Sequence, residues 1–266
     1  MSAGSTPADG VARLRGRTAL VTGGGNGLGQ AITLALGAAG VRVVAAGRTA
    51  STLAETAALA AAAGYDIRTA IVDVSEPGSV DRLQETLSDE TISIVVNNAG
   101  IAGPVASLID ISVDEWDEVF ATNVRGVYLV CKAFLPQMIE RASGDVINLA
   151  SVSGKRPLAR RTPYCASKMA VIGLTTTLAA EVGPLGITVN SLSPGPVRGP
   201  RMDRVFRLES ERLGVTVEAA TAAFVSRSTL GRLVEADEVG QAVVAMLQMP
   251  GLHAADIDLS AGMVAR

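Results

Sequence analysis

Tyr164 and Lys168 stand four residues apart in Pro163 to Val182, a stretch whose composition predicts a helix, so their side chains share a face. Ser151 precedes Tyr164 by thirteen residues and follows Val146 to Leu149, a short apolar run that reads as a buried strand. Ser151 therefore falls at the carboxyl edge of a sheet, where open α/β sheets bind ligands. A phenol, an ammonium and a hydroxyl gathered there suit proton transfer to a reacting oxygen. A free phenol, with a pKa of about 10, is a poor base at neutral pH. An ammonium about 4 Å away, at an effective dielectric of about 20, favours the phenolate by about 4 kcal/mol, or roughly three pK units. That would bring Tyr164 to about 7, the most effective range for general acid–base catalysis. Burial pushes the other way, so this is an upper bound. Tyr and Lys at this spacing are by themselves a common surface pattern, and Ser151 is what favours the chemical reading.

A second feature lies near the start of the chain. Thr18 to Thr22 reads as a strand and runs into Gly23-Gly24-Gly25-Asn26-Gly27-Leu28-Gly29, followed by a helical pattern to Ala39. Glycines in a first strand-to-helix turn let the backbone approach a pyrophosphate, and the helix start offers unpaired N–H groups and partial positive charge. The alternative is a glycine loop without a ligand.

Both features need a sheet to place them. Further buried strands are expected at Val41 to Ala46, Ile67 to Val72, Ile92 to Val96 and Ile187 to Leu192, with the pattern resuming near Asp256 to Leu259. Near-continuous apolar runs suit parallel strands covered on both faces. Between them lie helical patterns at Thr52 to Ala63, Ser79 to Leu87 and Val113 to Arg141, the last with a kink or break expected at Pro136. Alternating β and α elements predict a single Rossmann-like, doubly wound α/β domain with a mostly parallel, about seven-stranded sheet. Residues 1–12 read as a flexible tail and 13–266 as the domain. The proline-containing excursion at about 194–227 reads as a substrate loop or lid.

Composition removes several classes. Hydrophobic residues at 48% and charged residues at 18% exclude a disordered chain. A formal charge of −3 gives no electrostatic case for nucleic acid or an anionic membrane. Two cysteines, Cys131 and Cys165, make no disulfide framework or zinc spacing, and one histidine, His253, argues against His-based mechanisms and a His-rich metal site. No metal is expected. The uncharged run Thr18 to Val41 carries seven glycines, which argues against a membrane span, and the opening residues lack the pattern of a signal peptide. A cytoplasmic setting is expected.

The chain resembles the single-domain short-chain dehydrogenase/reductase family from about Leu14 onward. The resemblance rests on Thr22 to Gly29, Asp73-Val74, Asn97-Asn98-Ala99-Gly100, Asn123, Ser151, Tyr164 to Lys168, and Pro194-Gly195, in the family's order. It implies an NAD(P)-dependent oxidoreductase interconverting a secondary alcohol and a ketone. Tyr164 would be the acid/base, Lys168 would lower its pKa and hold the nicotinamide ribose, and Ser151 would bond the substrate oxygen. Asn123 would anchor a water linking Lys168 to solvent, with helix capping as the alternative. Cofactor contacts would come from Thr22, Gly23, Gly25, Asn26, Gly27, Leu28, Asp73, Val74, Asn98, Ala99 and Gly100, and from Tyr164, Lys168, Pro194, Gly195 and Val197. Asn97 is expected to brace the neighbouring strand. Where the family often has a threonine after Pro-Gly, this chain has Gly199, so the carboxamide contact falls to backbone near Val197. The resemblance also implies a homotetramer, with a dimer next, and His253 is assigned to a subunit contact. Cys165 and Met169 are assigned to packing.

At the end of the second strand no Asp or Glu occurs between Val41 and Thr52, Gly47 leaves room, and Arg48 supplies a charged fork suited to phosphate. NADP(H) is therefore expected over NAD(H). Arg48 pointing to solvent or stacking on adenine would serve either. Lys155, Arg156, Arg160 and Arg161, with Arg198, Arg201, Arg204 and Arg207, surround the expected mouth. They suit an anionic substrate, against the alternative of charges paired with Asp203, Glu209 and Glu211. Substrates left open include 3-oxoacyl thioesters, cyclic alcohols, hydroxy acids, sugars and steroids. The competing class is a non-catalytic cofactor-binding or partner subunit on the same fold, which would be expected to have lost Tyr164, Lys168 or the glycine turn.

Overall fold

The computed structural model describes residues 13–156 and 158–264. The tail assigned to residues 1–12 lies outside the described residues. Seven parallel strands form one sheet in the order β3-β2-β1-β4-β5-β6-β7. They are β1 (Thr18–Thr22), β2 (Arg42–Gly47), β3 (Ile67–Ile71), β4 (Ile92–Asn97), β5 (Gly144–Leu149), β6 (Ile187–Pro194) and β7 (Asp256–Leu259). β1 pairs with both β2 and β4, so the chain winds outward through β3 and then returns to the other side of β1. Two parallel neighbours wound in opposite senses leave a crevice beyond their carboxyl ends, the usual ligand position of such sheets.

The helices cover both faces. On one face lie α1 (Gly27–Ala38) and α9 (Ala236–Leu247), with Ile32 and Leu36 packed with Val239, Val243 and Met246. On the other lie α3 (Pro77–Thr86), α5 (Gly126–Glu140) and α6 (Thr162–Val182), which bury Leu83, Phe134, Met138 and Val171. Two apolar layers on one sheet explain why β1 is buried at every position. The remaining helices are α2 (Ala50–Ala62), α4 (Val113–Phe120), α7 (Pro200–Leu213) and α8 (Val217–Val225).

The structure refines the sequence reading at three places. Of the kink or break expected at Pro136, no break occurs; the helical stretch is interrupted at Ala121–Arg125, a widened π-helical turn between α4 and α5. Asn123 in that turn is pinned inward, donating to the Ile101 carbonyl (3.0 Å) and accepting from its N–H (2.8 Å). α5 runs on through Pro136, held by the burial of Phe134, Leu135 and Met138. α9 carries no strong turn signal before it, yet its start is marked by a reciprocal cap between Glu235 and Glu238. The excursion after β6 is largely ordered as α7 and α8, joined by an edge-to-face contact of Phe206 and Phe224 at 5.6 Å.

Candidate active site

The carboxyl ends of β1, β2, β4, β5 and β6 open into one cleft of about 1520 Å³. At its closed end the glycine turn has the geometry a phosphate needs. Gly27 has φ +51°, and a Cβ there would meet only open space, so its bare backbone faces the cleft. A Cβ on Gly29 would lie 1.9 Å from the Gly23 carbonyl oxygen, so no other residue lets α1 start this close to the turn. Asn26 makes no side-chain cap and the first turn of α1 has no acid, which leaves its N–H groups and dipole for an anion. A dinucleotide phosphate fits these residues.

Gly23, Gly25, Asn26, Gly27, Leu28, Arg48, Asp73, Val74, Asn98, Ala99, Gly100, Ser151, Tyr164, Lys168, Pro194, Gly195 and Val197 line the cleft. Two assigned residues do not. Thr22 is buried, and its hydroxyl accepts the N–H groups of Asn98 and Ala99, both at 3.1 Å. It ties the β4 loop to the glycine turn from behind. Asn98 completes that tie by donating Nδ2 to the Thr22 and Gly23 carbonyls. Asn123 is also buried and off the cleft; both Nδ2 protons are spent, on Ile101 and on Ser167 Oγ (3.0 Å). A water near Lys168 would therefore need its main-chain carbonyl. Asn97 bonds Asn148 Oδ1 on β5 (2.9 Å), the bracing expected of it.

The first turns of α6 hold Tyr164, which lines the cleft together with Ser151 at the end of β5. The Lys168 ammonium lies 5.9 Å from the ring centroid and donates to the Leu149 carbonyl at 2.6 Å. Burial alone would raise the phenol, but Lys168 and Arg201, with hydrogen bonds from Ser151 and Arg201, bring it below the usual tyrosine value. Burial and Arg201 push Lys168 down, partly offset by Tyr164. Ser151 also accepts from the Ser153 N–H at 3.1 Å, which fixes its rotamer at the end of β5.

Asp73 serves as a turn residue, its Oδ1 accepting from Ser75 N (3.0 Å) and Oγ (2.6 Å). Burial raises its carboxyl, while Ser75 and Arg48 lower it below the usual range. Arg48 lies 3.8 Å from Asp73 with 60% of its side chain exposed. In the loop after β6, Arg198 N and Val234 N are bonded to the Val234 and Pro196 carbonyls, and Gly199 has φ +146°.

The basic cluster divides. Lys155 is part-buried against Asp256 (2.5 Å) and Asp258, Arg198 pairs with Glu235, and Arg156 donates to the Met263 carbonyl, so these three are engaged within the chain. Arg161 and Arg201 instead flank Tyr164. Sequence reasoning missed the wall formed by Met202, Leu208 and Phe224, which needed the α7–α8 pair to be recognised as packed helices. His253 is engaged within the chain, accepting from Val189 N and bonding the Ala179 carbonyl at 3.1 Å. Met169, assigned to packing, is exposed. No group of three or more metal-ligating side chains occurs among the described residues, and no described helix is long and apolar enough to cross a membrane.

The short chain dehydrogenase family model matches residues 17–212. A 3-oxoacyl-(acyl-carrier-protein) reductase, FabG, of Pseudomonas aeruginosa is 36% identical over 234 residues, covering 86% of this chain and 89% of the relative. Among solved structures, actinorhodin polyketide ketoreductase with NADPH superimposes with a TM-score of 0.88 at 32% identity, covering 93% of this chain and 97% of that one. An NAD+-bound xylitol dehydrogenase also gives 0.88, at 27% identity, covering 94% and 99%. The chain belongs to the short-chain dehydrogenase family of oxidoreductases.

Proposed function

We propose that the protein interconverts a secondary alcohol and a ketone, with a nicotinamide dinucleotide as hydride donor or acceptor. The observation that carries this reading is the gathering of Tyr164, Ser151 and Lys168 in one cleft with a glycine turn that fits a pyrophosphate. When bound, the cofactor supplies or accepts the hydride. In reduction Tyr164 gives its proton to the substrate oxygen, and in oxidation it takes the proton back. Ser151 donates to that oxygen, Lys168 stabilises the phenolate and bonds the nicotinamide ribose, and Asn123 presents its carbonyl to a relay water. Gly23, Gly25, Asn26, Gly27 and Leu28 hold the phosphates. Asp73, Val74, Asn98, Ala99 and Gly100 border the adenosine half, and Pro194, Gly195 and Val197 border the nicotinamide. The test is a panel of ketones and alcohols followed by cofactor absorbance, in both directions and with both cofactors. Turnover of no member overturns the reading.

NADP(H) is the favoured cofactor. A Cβ on Gly47 would make only ordinary contacts, the nearest at 3.7 Å, and Arg48 stands exposed at the rim beside it. A charge-assisted contact to the 2′-phosphate predicts a preference of about 10- to 150-fold in kcat/KM. Arg48→Ala is expected to collapse that preference. Equal use of both cofactors by the wild type, or an unchanged ratio in the variant, rejects the assignment.

The α7–α8 segment serves as the lid, and the site of action is the cytoplasm. Leu108, Ile109, Val113 and Tyr128 are exposed apolar side chains on or just before α4 and α5, which supports a homotetramer. Light scattering at micromolar concentration is expected to give four copies, and a stable monomer would contradict it.

A further inference from the structure

Arg161 and Arg201 lie on different elements and converge on one side chain. Arg161 precedes α6 and Arg201 opens α7, and their guanidinium carbons lie 5.4 Å and 5.0 Å from the Tyr164 ring centroid. Arg161 is 7% exposed. One of its groups donates to the Ala102 carbonyl at 3.0 Å, while its buried Nε has no partner. No carboxylate among the described residues lies within 4.0 Å of either arginine. Lys168 adds a third cation around the same phenol.

Such a grouping is costly by itself. Like charges repel, burial strips Arg161 of hydration while Arg201 stays exposed, and the unpaired Arg161 Nε forfeits a hydrogen bond. Other arginines of the chain with comparable reach have carboxylate partners: Arg42 has Asp66 and Glu90, and Arg232 has Glu238. Both arginines line the cleft beside Tyr164 and Ser151, so an anion entering it would supply the counter-charge that no carboxylate of the described residues provides.

We infer that Arg161 and Arg201 form a receptor for a carboxylate carried by the substrate itself, one or two bonds from the reacting carbon. Both forks sit so near the proton-donating ring that an anion they hold is adjacent to the carbonyl being reduced. A planar carboxylate matches a guanidinium fork, whereas a thioester or a polyol leaves both charges uncompensated. The substrate class is then the short oxo acids and their hydroxy acids. This rests on the oxidoreductase reading and selects among its substrates.

The test compares 3-oxobutanoate with its methyl ester, which has the same ketone but no charge. The wild type is expected to favour the acid at least tenfold in kcat/KM. Arg201→Met and Arg161→Met are each expected to remove most of that ratio. Calorimetry with malonate, an unreactive dicarboxylate, on the protein saturated with cofactor gives a readout independent of turnover. Malonate affinity is expected to fall at least tenfold in either variant. Should Arg161→Met not fold, Arg161→Lys, which keeps the charge but loses the fork, takes its place with a smaller loss. A wild-type ratio near one, or malonate affinity unchanged in the variants, overturns the receptor. Malonate binding that needs both arginines, with no hydride transfer to any ketone, overturns the oxidoreductase reading and leaves the receptor standing.

Discussion

Tyr164→Phe is expected to lower kcat by about 10²- to 10⁴-fold, the range for a positioned acid–base group, while cofactor affinity stays nearly unchanged. Only the hydroxyl is removed; the ring that packs between Arg161 and Arg201 remains. Survival of more than a few per cent of the activity would reject the mechanism. The pH dependence gives a second check. Because the Tyr164 pKa is lowered, the phenolate forms below the usual tyrosine range. Oxidation needs the phenolate and so rises with pH through that lowered value. Reduction needs the phenol and falls through it. Profiles with the opposite slopes would assign the proton to another group.

Lys168→Ala is expected to damage two quantities at once. Its ammonium is a main influence lowering Tyr164, so the midpoint of the oxidation profile moves to higher pH and kcat at neutral pH drops. The same group is assigned to the nicotinamide ribose, so cofactor Kd rises by about tenfold, the worth of one charge-assisted hydrogen bond of ~1.5 kcal/mol. Loss of activity with unchanged Kd would remove the ribose role and keep the electrostatic one. The Leu149 carbonyl loses its donor in this variant, so the thermal unfolding transition is measured alongside, with Lys168→Arg as the charge-keeping control.

How much of this was legible in the residues depended on whether the cause was local. The strand positions and the glycine turn follow from short-range patterns: buried β-branched runs, and a helix start whose close approach to Gly23 only a glycine at 29 permits. Tyr164, Lys168 and Ser151 could be singled out because their spacing and strand-end position are sequence properties. Thr22, Asn98 and Asn123 were placed in the right neighbourhood, but the bonds their side chains make within the chain were not legible. Their side chains are consumed by one another's loops, and those pairings span many residues of sequence. The basic cluster is the clearest case. Nothing in the sequence separates Lys155 from Arg161, because their difference lies in what the last strand and the loop at Ala102 bring to them.

Lys155 carries a consequence for how the molecule comes into being. It follows Ser151 by four residues, yet its partners Asp256 and Asp258 sit on β7, and Asp256 also receives the hydroxyls of Ser191 and Ser193. With 9% of its side chain exposed in the folded protein, Lys155 is held there unfavourably unless its carboxylate partners are in place. β7 is the last strand of the sheet to leave the ribosome, and domains generally fold from the N-terminal side during synthesis. Until it arrives, the segment beside Ser151 harbours an uncompensated ammonium and the β6 edge lies bare. The nascent chain can therefore assemble its nucleotide-binding half early, while the reactive half must wait for a strand made a hundred residues after Lys155.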